Sequence, residues 1–467
     1  MHFAFACGPV HLRRPAGSER ALRRAIPNVR VASAAMPSDR VVLIGDGDLA
    51  EETGRALEAA EAEVVRLGRP SDDEVSEALE QGAARVAVVS REDAYVLRMA
   101  LMVRYIDHDV PLLVTVFDAT MAAGIEEAIE HCTVSSMADI VAPSLAGPCL
   151  GDDFVAVRLD ADPPVGVRET DDGVEEVPLD VPGRRRAGAL ARALLQPYDK
   201  SAALLLIGGL GMILVLALET VGGVIVLGQG FVDALYGAAK TLATVDPNKD
   251  VDAGPKAFKV FVTGTILTAL VLEACFTAGL VNRLIDRRLT GLFGRRAVPR
   301  RDHVVVVGMG QVGLRLCLVL RRCGVGVVAV DDREHGEHVS FGLERGLPVV
   351  IGRGADPSLL RGLSLEKALA LAAVTDDDLQ NISIAMAARA VNPDMRVVLR
   401  AGDGRLANET RSLFRVGVVR DVHRIAAALL AAQATGSAAN LVVCRGDDAH
   451  LLHDDGSLER AAFEATA

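Results

Sequence analysis

Three glycines with the spacing G-x-G-x-x-G, Gly308, Gly310 and Gly313, follow a short apolar run and open a stretch with helical periodicity. In a dinucleotide-binding fold the first glycine permits a tight turn, the second admits a pyrophosphate, and the third lets helix pack on strand. Gln311 and Val312 of the same motif stand at the start of the predicted helix. The free N–H groups and the dipole at a helix N-terminus favour an anion. The pattern predicts a phosphate site; a glycine turn without a ligand is the alternative.

A carboxylate stands where such a site needs one. The next apolar run, VVAVDD, ends in Asp331 and Asp332, about 20 residues after the glycine turn, where an acid bonds a ribose hydroxyl. Arg333 follows and is suited either to a further phosphate or to solvent. Together these residues predict NAD(H) or another adenine nucleotide as the ligand.

A second glycine turn occurs early in the chain, where Gly45, Gly47 and Ala50 satisfy G-x-G-x-x-A after an apolar run. Its following strand, EVVRLG, carries no acid at its end, and we place Arg66 and Leu67 at the position of the acid. Ribose recognition then loses its acceptor. Two interpretations stay open, a second nucleotide site and a scaffold half that pairs with the other unit.

Both turns belong to the same succession of an apolar strand, a glycine turn, a helical stretch and another apolar strand. In each case further short strands alternate with helices, which is typical of a doubly wound parallel sheet. The sequence therefore predicts two Rossmann-like domains, at residues 39–160 and 302–436. The fold class is α/β plus membrane α, with the two domains flanking a two-helix transmembrane hairpin.

The hairpin is predicted from two long apolar runs, residues 201–229 and 257–282, each long enough to cross a bilayer as a helix. A pair of buried helices in a large soluble protein is the alternative. Arginine-rich flanks outside both runs place both domains and both termini in the cytoplasm of a multi-pass cell-membrane protein. Each run contains one acid, Glu219 in the first and Glu273 in the second. Either acid could lie at the membrane interface or be paired, and Glu273 could also face an inner vestibule of a pore.

The other segments are assigned by composition. We expect a disordered basic leader at 1–38, a linker at 161–200, a basic linker at 283–301 and a C-terminal tail at 437–467. Residues 230–256, between the apolar runs, suit a short pore helix followed by a re-entrant, filter-like loop. The net charge of −12 argues against a nucleic-acid partner, and the scattered cysteines give no metal-binding pattern.

These motifs together resemble the two-span channels of the potassium-channel superfamily that carry RCK domains, also called KTN or TrkA-N domains. The similarity rests on GMGQVG, VVAVDD, VIGRGADPSLL, VTDDDLQN and VVLRA in the second unit, and on GDGDLA and VVSREDAYVLRMAL in the first. The arrangement is also similar to CASTOR/POLLUX-type channels. The resemblance implies a homotetramer that contacts membrane lipids and conducts monoatomic cations. It also implies that Asp356, Thr375 and Asp376 line the nucleotide site.

The filter-like segment departs from that family. Thr244 and Val245 fit its pattern, but Asp246, Pro247 and Asn248 stand in place of Gly-Tyr-Gly. Because proline fixes its own φ and restricts the residue before it, the usual ladder of carbonyl groups cannot form. Asp246 in a ring of subunits would attract cations; a loop that only caps the hairpin is the alternative.

Three functions are compatible with these features. The first is a nucleotide-regulated monoatomic cation channel, potassium-channel-like and of uncertain selectivity. The second is a membrane-anchored, nucleotide-sensing regulatory subunit of potassium transport with a non-conducting pore. The third, an NAD-dependent oxidoreductase, requires a substrate domain with a positioned acid or base, which the sequence after the second unit does not suggest. We therefore do not expect an enzyme.

Overall fold

The computed structural model describes residues 40–170, 173–179, 200–243, 251–252, 254–285, 299, 301–402, 417–446, 448–461 and 463. Four parts of the sequence-based prediction lie wholly or largely outside these residues. They are the leader, much of the linker before the first apolar run, the basic linker, and the filter-like run with Thr244, Val245, Asp246 and Asn248.

The first α/β unit is a five-stranded parallel sheet with the order β2-β1-β3-β4-β5. Alternate residues of its first strand face two different cores: Val41 and Leu43 one, Val42 and Ile44 the other. Strands buried on both faces have continuous apolar sequences, as observed here. The elements are β1 Arg40–Ile44, α1 Asp48–Ala59, β2 Glu63–Leu67, α2 Asp72–Glu80, β3 Arg85–Val88, α3 Asp93–Ile106, β4 Leu112–Thr115, α4 Ala119–Ala128, β5 Cys132–Ser135 and α5 Met137–Leu150.

The second α/β unit is a six-stranded parallel sheet with the order β11-β10-β9-β12-β13-β14, the 3-2-1-4-5-6 order of the dinucleotide-binding fold. The prediction of two doubly wound parallel sheets is confirmed, although among the described residues no strand of the first unit pairs with the outer side of β2. The elements are β9 His303–Val307, α9 Gln311–Arg322, β10 Gly326–Asp331, α10 Glu337–Glu344, β11 Val349–Ile351, α11 Pro357–Gly362, a 3-10 turn Leu365–Lys367, β12 Ala370–Ala373, α12 Asp378–Val391, β13 Val397–Ala401, β14 Val418–Asp421 and α13 Val422–Ala434.

Each α/β unit is followed by a small antiparallel sheet, which corrects two predicted boundaries. The linker expected from residue 161 contains β7 Val165–Thr170 and β8 Gly173–Pro178, which pair with β6 Phe154–Arg158. The expected tail contains β15 Leu441–Arg445, β16 Asp448–Leu452 and β17 Leu458–Arg460. These short strands escape sequence reasoning because they bury few apolar side chains alone and complete a core only against each other.

The two units share one hydrophobic core. Helix α1 packs on α13, and α9 packs on α5, so the first helix of each unit contacts the last helix of the other. Residues of both sheets and of these four helices belong to one buried cluster. The units therefore form a pseudo-symmetric pair, and the repeat detected in the sequence extends through the last helix and small sheet of each half.

Between the units, α6 Lys200–Val226 and α8 Lys256–Ile285 pack on each other, and α7 Phe231–Leu242 packs against α6. Residues 204–226 and 256–281 are long and apolar enough to cross a membrane, which confirms the prediction of two apolar helices. Only 28% and 17% of their most apolar windows are buried within the chain. Side chains such as Ile213 and Val260 are exposed, unlike those of a soluble core helix.

Candidate nucleotide-binding site

The glycine turn of the second unit has a conformation that requires glycine at two of its three positions. Gly308 has φ 100°, and its N–H donates to the carbonyl of Val330 at 2.8 Å. A Cβ atom on Gly313 would lie 1.8 Å from the carbonyl oxygen of Gly308. A Cβ atom on Gly310 would meet no described residue within 4 Å, so this glycine leaves open space at the N-terminus of α9.

Asp331 holds that turn from the neighbouring strand. Its side chain is 5% exposed, and its Oδ2 accepts a hydrogen bond from the N–H of Met309 at 2.7 Å. Its Oδ1 accepts one from the N–H of Arg333 at 2.9 Å. Each carboxylate oxygen keeps a second lone pair, so the group can accept a further hydrogen bond from a ligand in the crevice.

A cavity of about 270 Å³ opens over the turn at the carboxyl ends of the strands. This edge of a doubly wound sheet is where ligands bind. The cavity is lined by most of the residues predicted for the site, namely Gly308, Gly310, Gln311, Val312, Asp331, Asp332, Thr375 and Asp376.

A buried amide holds the cavity wall beside the turn, where Thr375 lies against Gly308. Asn381, 1% exposed, accepts hydrogen bonds from the N–H and Oγ1 of Thr375 at 2.9 and 2.8 Å. Its Nδ2 donates to the carbonyls of Thr375 and Arg400, both at 3.1 Å. One side chain therefore fixes the carboxyl ends of β12 and β13 relative to each other and positions the residues that follow them.

Sequence reasoning missed the contribution of the first unit to this cavity. Arg91, which follows β3, and Met137 and Ala138, at the start of α5, line it together with the second unit. Residues so distant in sequence carry no signal of proximity. The cavity therefore lies at the junction of the two units and is not contained in the second unit alone.

Arg400 is a further lining residue that sequence reasoning missed. It lies in β13, lines the cavity and is 7% exposed, and its Nε has no hydrogen-bond partner among the described residues. Burial and the nearby charge of Arg91 lower the pKa of Arg400. A buried cation with an unsatisfied donor is costly unless an anion meets it. The signal in the sequence was an arginine inside the apolar strand VVLRA.

Asp356, which the resemblance places at the nucleotide site, is not among the residues that line the cavity. Its carboxylate caps α11, accepting from the N–H and Oγ of Ser358, both at 2.8 Å. Those hydrogen bonds lower the pKa of Asp356. The cavity wall nearby is formed by Gly352 and Gly354, and Asp356 is not part of it. An Asp before proline is a strong helix cap, and that role accounts for this residue.

The glycine turn of the first unit differs from the second in detail. Gly45 donates its N–H to the carbonyl of Leu67 at 2.8 Å, as Gly308 does to Val330. Leu67 therefore corresponds to Val330, and Gly68 corresponds to Asp331. The first unit has no acid at this position, as predicted, but the position is Gly68 and not Arg66 or Leu67. Arg66 instead lies along α1 and pairs with Glu58 at 2.7 Å.

An ion-pair bridge spans the crevice of the first unit. Arg69, which follows β2, contacts Asp46 of the glycine turn at 2.7 Å and Glu92, beyond β3, at 2.9 Å. The Arg69 guanidinium also lies 5.4 Å from the ring centroid of Tyr95. Gly47 has φ 84° and caps α1 without a side-chain hydrogen bond. Arg69 thus joins the ends of β1, β2 and β3, which would surround a ligand in this unit.

Of the two acids predicted in the apolar helices, one is paired within the chain. Glu219 is 6% exposed and accepts a hydrogen bond from Oγ1 of Thr265, so it links α6 to α8. Thr241, near the end of α7, is also buried beside it in a small cavity. Glu273 is exposed on α8.

Comparison with known proteins agrees with this architecture. Residues 304–419 match the TrkA-N domain. The chain is 24% identical over 214 residues to potassium channel protein 1 of Methanocaldococcus jannaschii, covering 44% of this chain and 62% of that protein. It is 22% identical over 200 residues to the voltage-gated potassium channel Kch of Escherichia coli, covering 40% and 48%. The chain thus spans less than two thirds of either relative.

Two further likenesses cover other lengths of the chain. The Trk system potassium uptake protein TrkA of Streptomyces coelicolor is 37% identical over 105 residues, covering 22% of this chain and 47% of that protein. Among solved structures, the GsuK channel covers 88% of this chain and 66% of its own, with 16% identity and a TM-score of 0.47.

The fold and the glycine turn define the second unit as a TrkA-N domain, a Rossmann-like module. Over 44% and 40% of its length the chain is homologous to an archaeal and a bacterial potassium channel protein, and it carries two apolar helices of membrane-spanning length. These findings together indicate a membrane protein that resembles RCK-linked potassium channels.

Proposed function

We propose that this chain is a subunit of a nucleotide-regulated monoatomic cation channel, gated by its two cytoplasmic α/β units. The observation that carries the proposal is the cavity at their junction, which both units line, in a chain whose two apolar helices connect them. A ligand held by both units binds best when they are packed together, and so stabilises that arrangement. Tension on the connected helices then differs between the bound and free states.

An adenine nucleotide fits the chemistry of the cavity. The N–H groups at the start of α9 suit the phosphates, and Asp331 suits a ribose hydroxyl. Arg91 and Arg400, one from each unit, supply positive charge for a further phosphate. The first glycine turn, bridged by Arg69 and lacking the acid, serves as a scaffold in this proposal.

The packing of the units supports a multi-pass topology with both ends of the chain on one side of the membrane. Since the two units share a core, they lie on the same side, and two crossings between them satisfy that requirement. The arginines flanking the hairpin support the assignment of that side to the cytoplasm. One hairpin cannot enclose a pore, so the proposal requires an oligomer, a homotetramer with eight α/β units.

The proposal is tested by reconstituting the purified chain in planar bilayers and liposomes with AMP, ADP, ATP, NAD and NADH, under potassium, sodium and caesium gradients. We expect cation currents that change with at least one nucleotide. Asp331→Ala should keep the currents but lose that nucleotide response. Currents that no nucleotide alters, from protein that binds nucleotide in calorimetry, would overturn the regulatory part.

A non-conducting regulatory subunit is the second candidate, and the Asp246, Pro247 and Asn248 sequence favours it, because this run cannot supply a ladder of carbonyl groups. Folded protein that binds nucleotide but gives no flux under any condition, and that copurifies with a separate transporter, would support this function over a channel. In neither case do we propose an enzymatic activity.

A further inference from the structure

The contact between the two units consists of two equivalent helix pairs. Helices α1 and α9 both begin at a glycine turn, and α5 and α13 both follow the last parallel strand of their unit. Helix α9 packs on α5, and α1 packs on α13. The two helix pairs are therefore two versions of the same interface, and pairing of two first units or two second units would use the same surfaces.

The apolar part of this interface does not distinguish these pairings. Buried leucine, valine and alanine side chains dominate all four helices, and they belong to one cluster. Leu316 of α9 and Leu145 of α5 are fully buried, as is Leu57 of α1. Apolar burial is non-directional, so similar areas would be buried in a pairing of like units. Selection of the correct partner needs a different kind of contact.

That contact is an ion pair between α9 and α5. Nε of Arg315 lies 2.5 Å from Oδ1 of Asp139, and Nη2 donates a hydrogen bond to Oδ2 at 2.9 Å, so the guanidinium contacts both carboxylate oxygens. Arg315 also lies over the ring of Phe117, a first-unit residue whose ring contacts that of His338 edge-on, with centroids 5.0 Å apart.

At the equivalent positions of the other helix pair the charges are exchanged. Counted from the first glycine of each turn, Glu52 of α1 takes the place of Arg315. Counted from the N-caps Ser136 and Asp421, Arg424 of α13 takes the place of Asp139. Glu52 forms an ion pair with Arg55 of its own helix. Burial raises the pKa of Glu52 and Arg55 lowers it; from α13, the charge of Asp421 raises it and that of Arg424 lowers it. Helix α1 packs on α13, so these charges belong to the second helix contact.

The Arg315–Asp139 contact between unlike units is attractive, whereas pairings of like units would place like charges at the exchanged positions. Pairing of two second units would bring Arg315 against Arg424. Pairing of two first units would bring Glu52 against Asp139. We propose that the exchanged charges of Arg315, Asp139, Glu52 and Arg424 select pairing of a first unit with a second unit over pairing of like units from neighbouring chains. Like-charge contacts across an interface are an effective means of excluding wrong partners.

The experiment uses the full chain in detergent with the photoreactive residue p-benzoylphenylalanine in place of Phe117, which lies against the second unit near His338. After irradiation, mass spectrometry identifies the captured peptides. Wild-type charges should yield second-unit peptides around His338. Asp139→Arg repels Arg315 and attracts Glu52, so captured first-unit peptides should rise at least about fivefold relative to second-unit peptides.

The double variant Arg315→Glu with Asp139→Arg makes the test specific. It restores attraction between α9 and α5, so its unfolding temperature should return close to the wild-type value. Every like pairing has also become attractive, so capture of first-unit peptides should stay above the wild-type level. A merely stabilising ion pair would recover both readouts together.

A matched control is another cross-unit ion pair, in which Arg396 contacts Asp152 through two nitrogens at 2.7 and 3.0 Å. The position equivalent to Arg396 in the first unit is the uncharged Pro111. Arg396→Glu should therefore lower the unfolding temperature without changing which unit is captured. The proposal is overturned if Asp139→Arg and the double variant, both folded, capture second-unit peptides in the wild-type proportion.

Discussion

Replacement of Asp331 by alanine tests the nucleotide site most directly. The carboxylate is 5% exposed and accepts backbone hydrogen bonds from Met309 and Arg333 at 2.7 and 2.9 Å. If it also accepts a ribose hydroxyl, its removal costs one hydrogen bond to a charged group, about 1.5–3 kcal/mol. That corresponds to a loss of nucleotide affinity of about tenfold to a hundredfold.

The sign of the change separates this role from general electrostatics. A nucleotide is an anion, so removal of a nearby negative charge would tighten its binding if only long-range charge mattered. The proposed hydrogen bond predicts weaker binding instead. Asp394→Ala is the matched control, because this exposed aspartate precedes β13 at the opposite edge of the sheet and its loss changes the net charge equally.

The assay is isothermal titration calorimetry of the full chain with ADP and NAD, together with thermal unfolding to verify that each variant is folded. Asp331→Ala also leaves the N–H of Met309 without its acceptor, so a moderate fall in unfolding temperature is expected. Equal or tighter binding of both nucleotides by folded Asp331→Ala would refute the assignment of Asp331 to the ribose.

Three further variants test other parts of the structure. Gly313→Ala should lower the free energy of unfolding by about 1–3 kcal/mol in a denaturant titration, because its Cβ would strike the carbonyl of Gly308, whereas Gly310→Ala should unfold like the wild type and bind nucleotide more weakly. Equal stability of the two would contradict the geometry. Arg91→Gln should have the unfolding temperature of the wild type, but calorimetry should show an affinity for ATP that is lower by about threefold or more and a smaller loss for AMP. An equal loss for both nucleotides would show that Arg91 does not contact the additional phosphates. Burial lowers the pKa of His338, so its contribution to stability is present above the ordinary histidine pKa and is lost as the pH falls through the lowered value. The unfolding temperature should therefore fall more between pH 7 and pH 5 in the wild type than in His338→Gln, and parallel curves would exclude this residue.

Much of the second unit could be predicted from its sequence because its signals are local. The strand before Gly308, the helix after it and Asp331 at the end of the next strand are set by chain order and by the period of the apolar residues. The order β11-β10-β9-β12-β13-β14 follows from the short, right-handed connections of such units. The first unit follows the same rules. The position equivalent to Asp331 was misplaced by one residue, at Leu67 and not Gly68, because the register of β2 depends on its pairing with β1.

The small antiparallel sheets could not be predicted in the same way. Their strands are short, and residues such as Val167 and Leu452 become buried only when the two sheets meet across the junction of the units. Asp356 is a further case, since family resemblance suggested a ligand contact while local chemistry before Pro357 supplied a helix cap. Neither the long-range contact nor the competing local role can be read from residue spacing.

By itself, the sequence determined two glycine turns, an acid that follows only one of them, and two apolar helices between the repeats, because each depends on neighbours along the chain. The tertiary structure decided that the cavity over the glycine turn of the second unit is lined by both units. It brings Arg91 to the same crevice as Arg400 and sets Arg315 against Asp139. These contacts join residues far apart in the chain, and only the packing of α1 on α13 and of α9 on α5 brings them together.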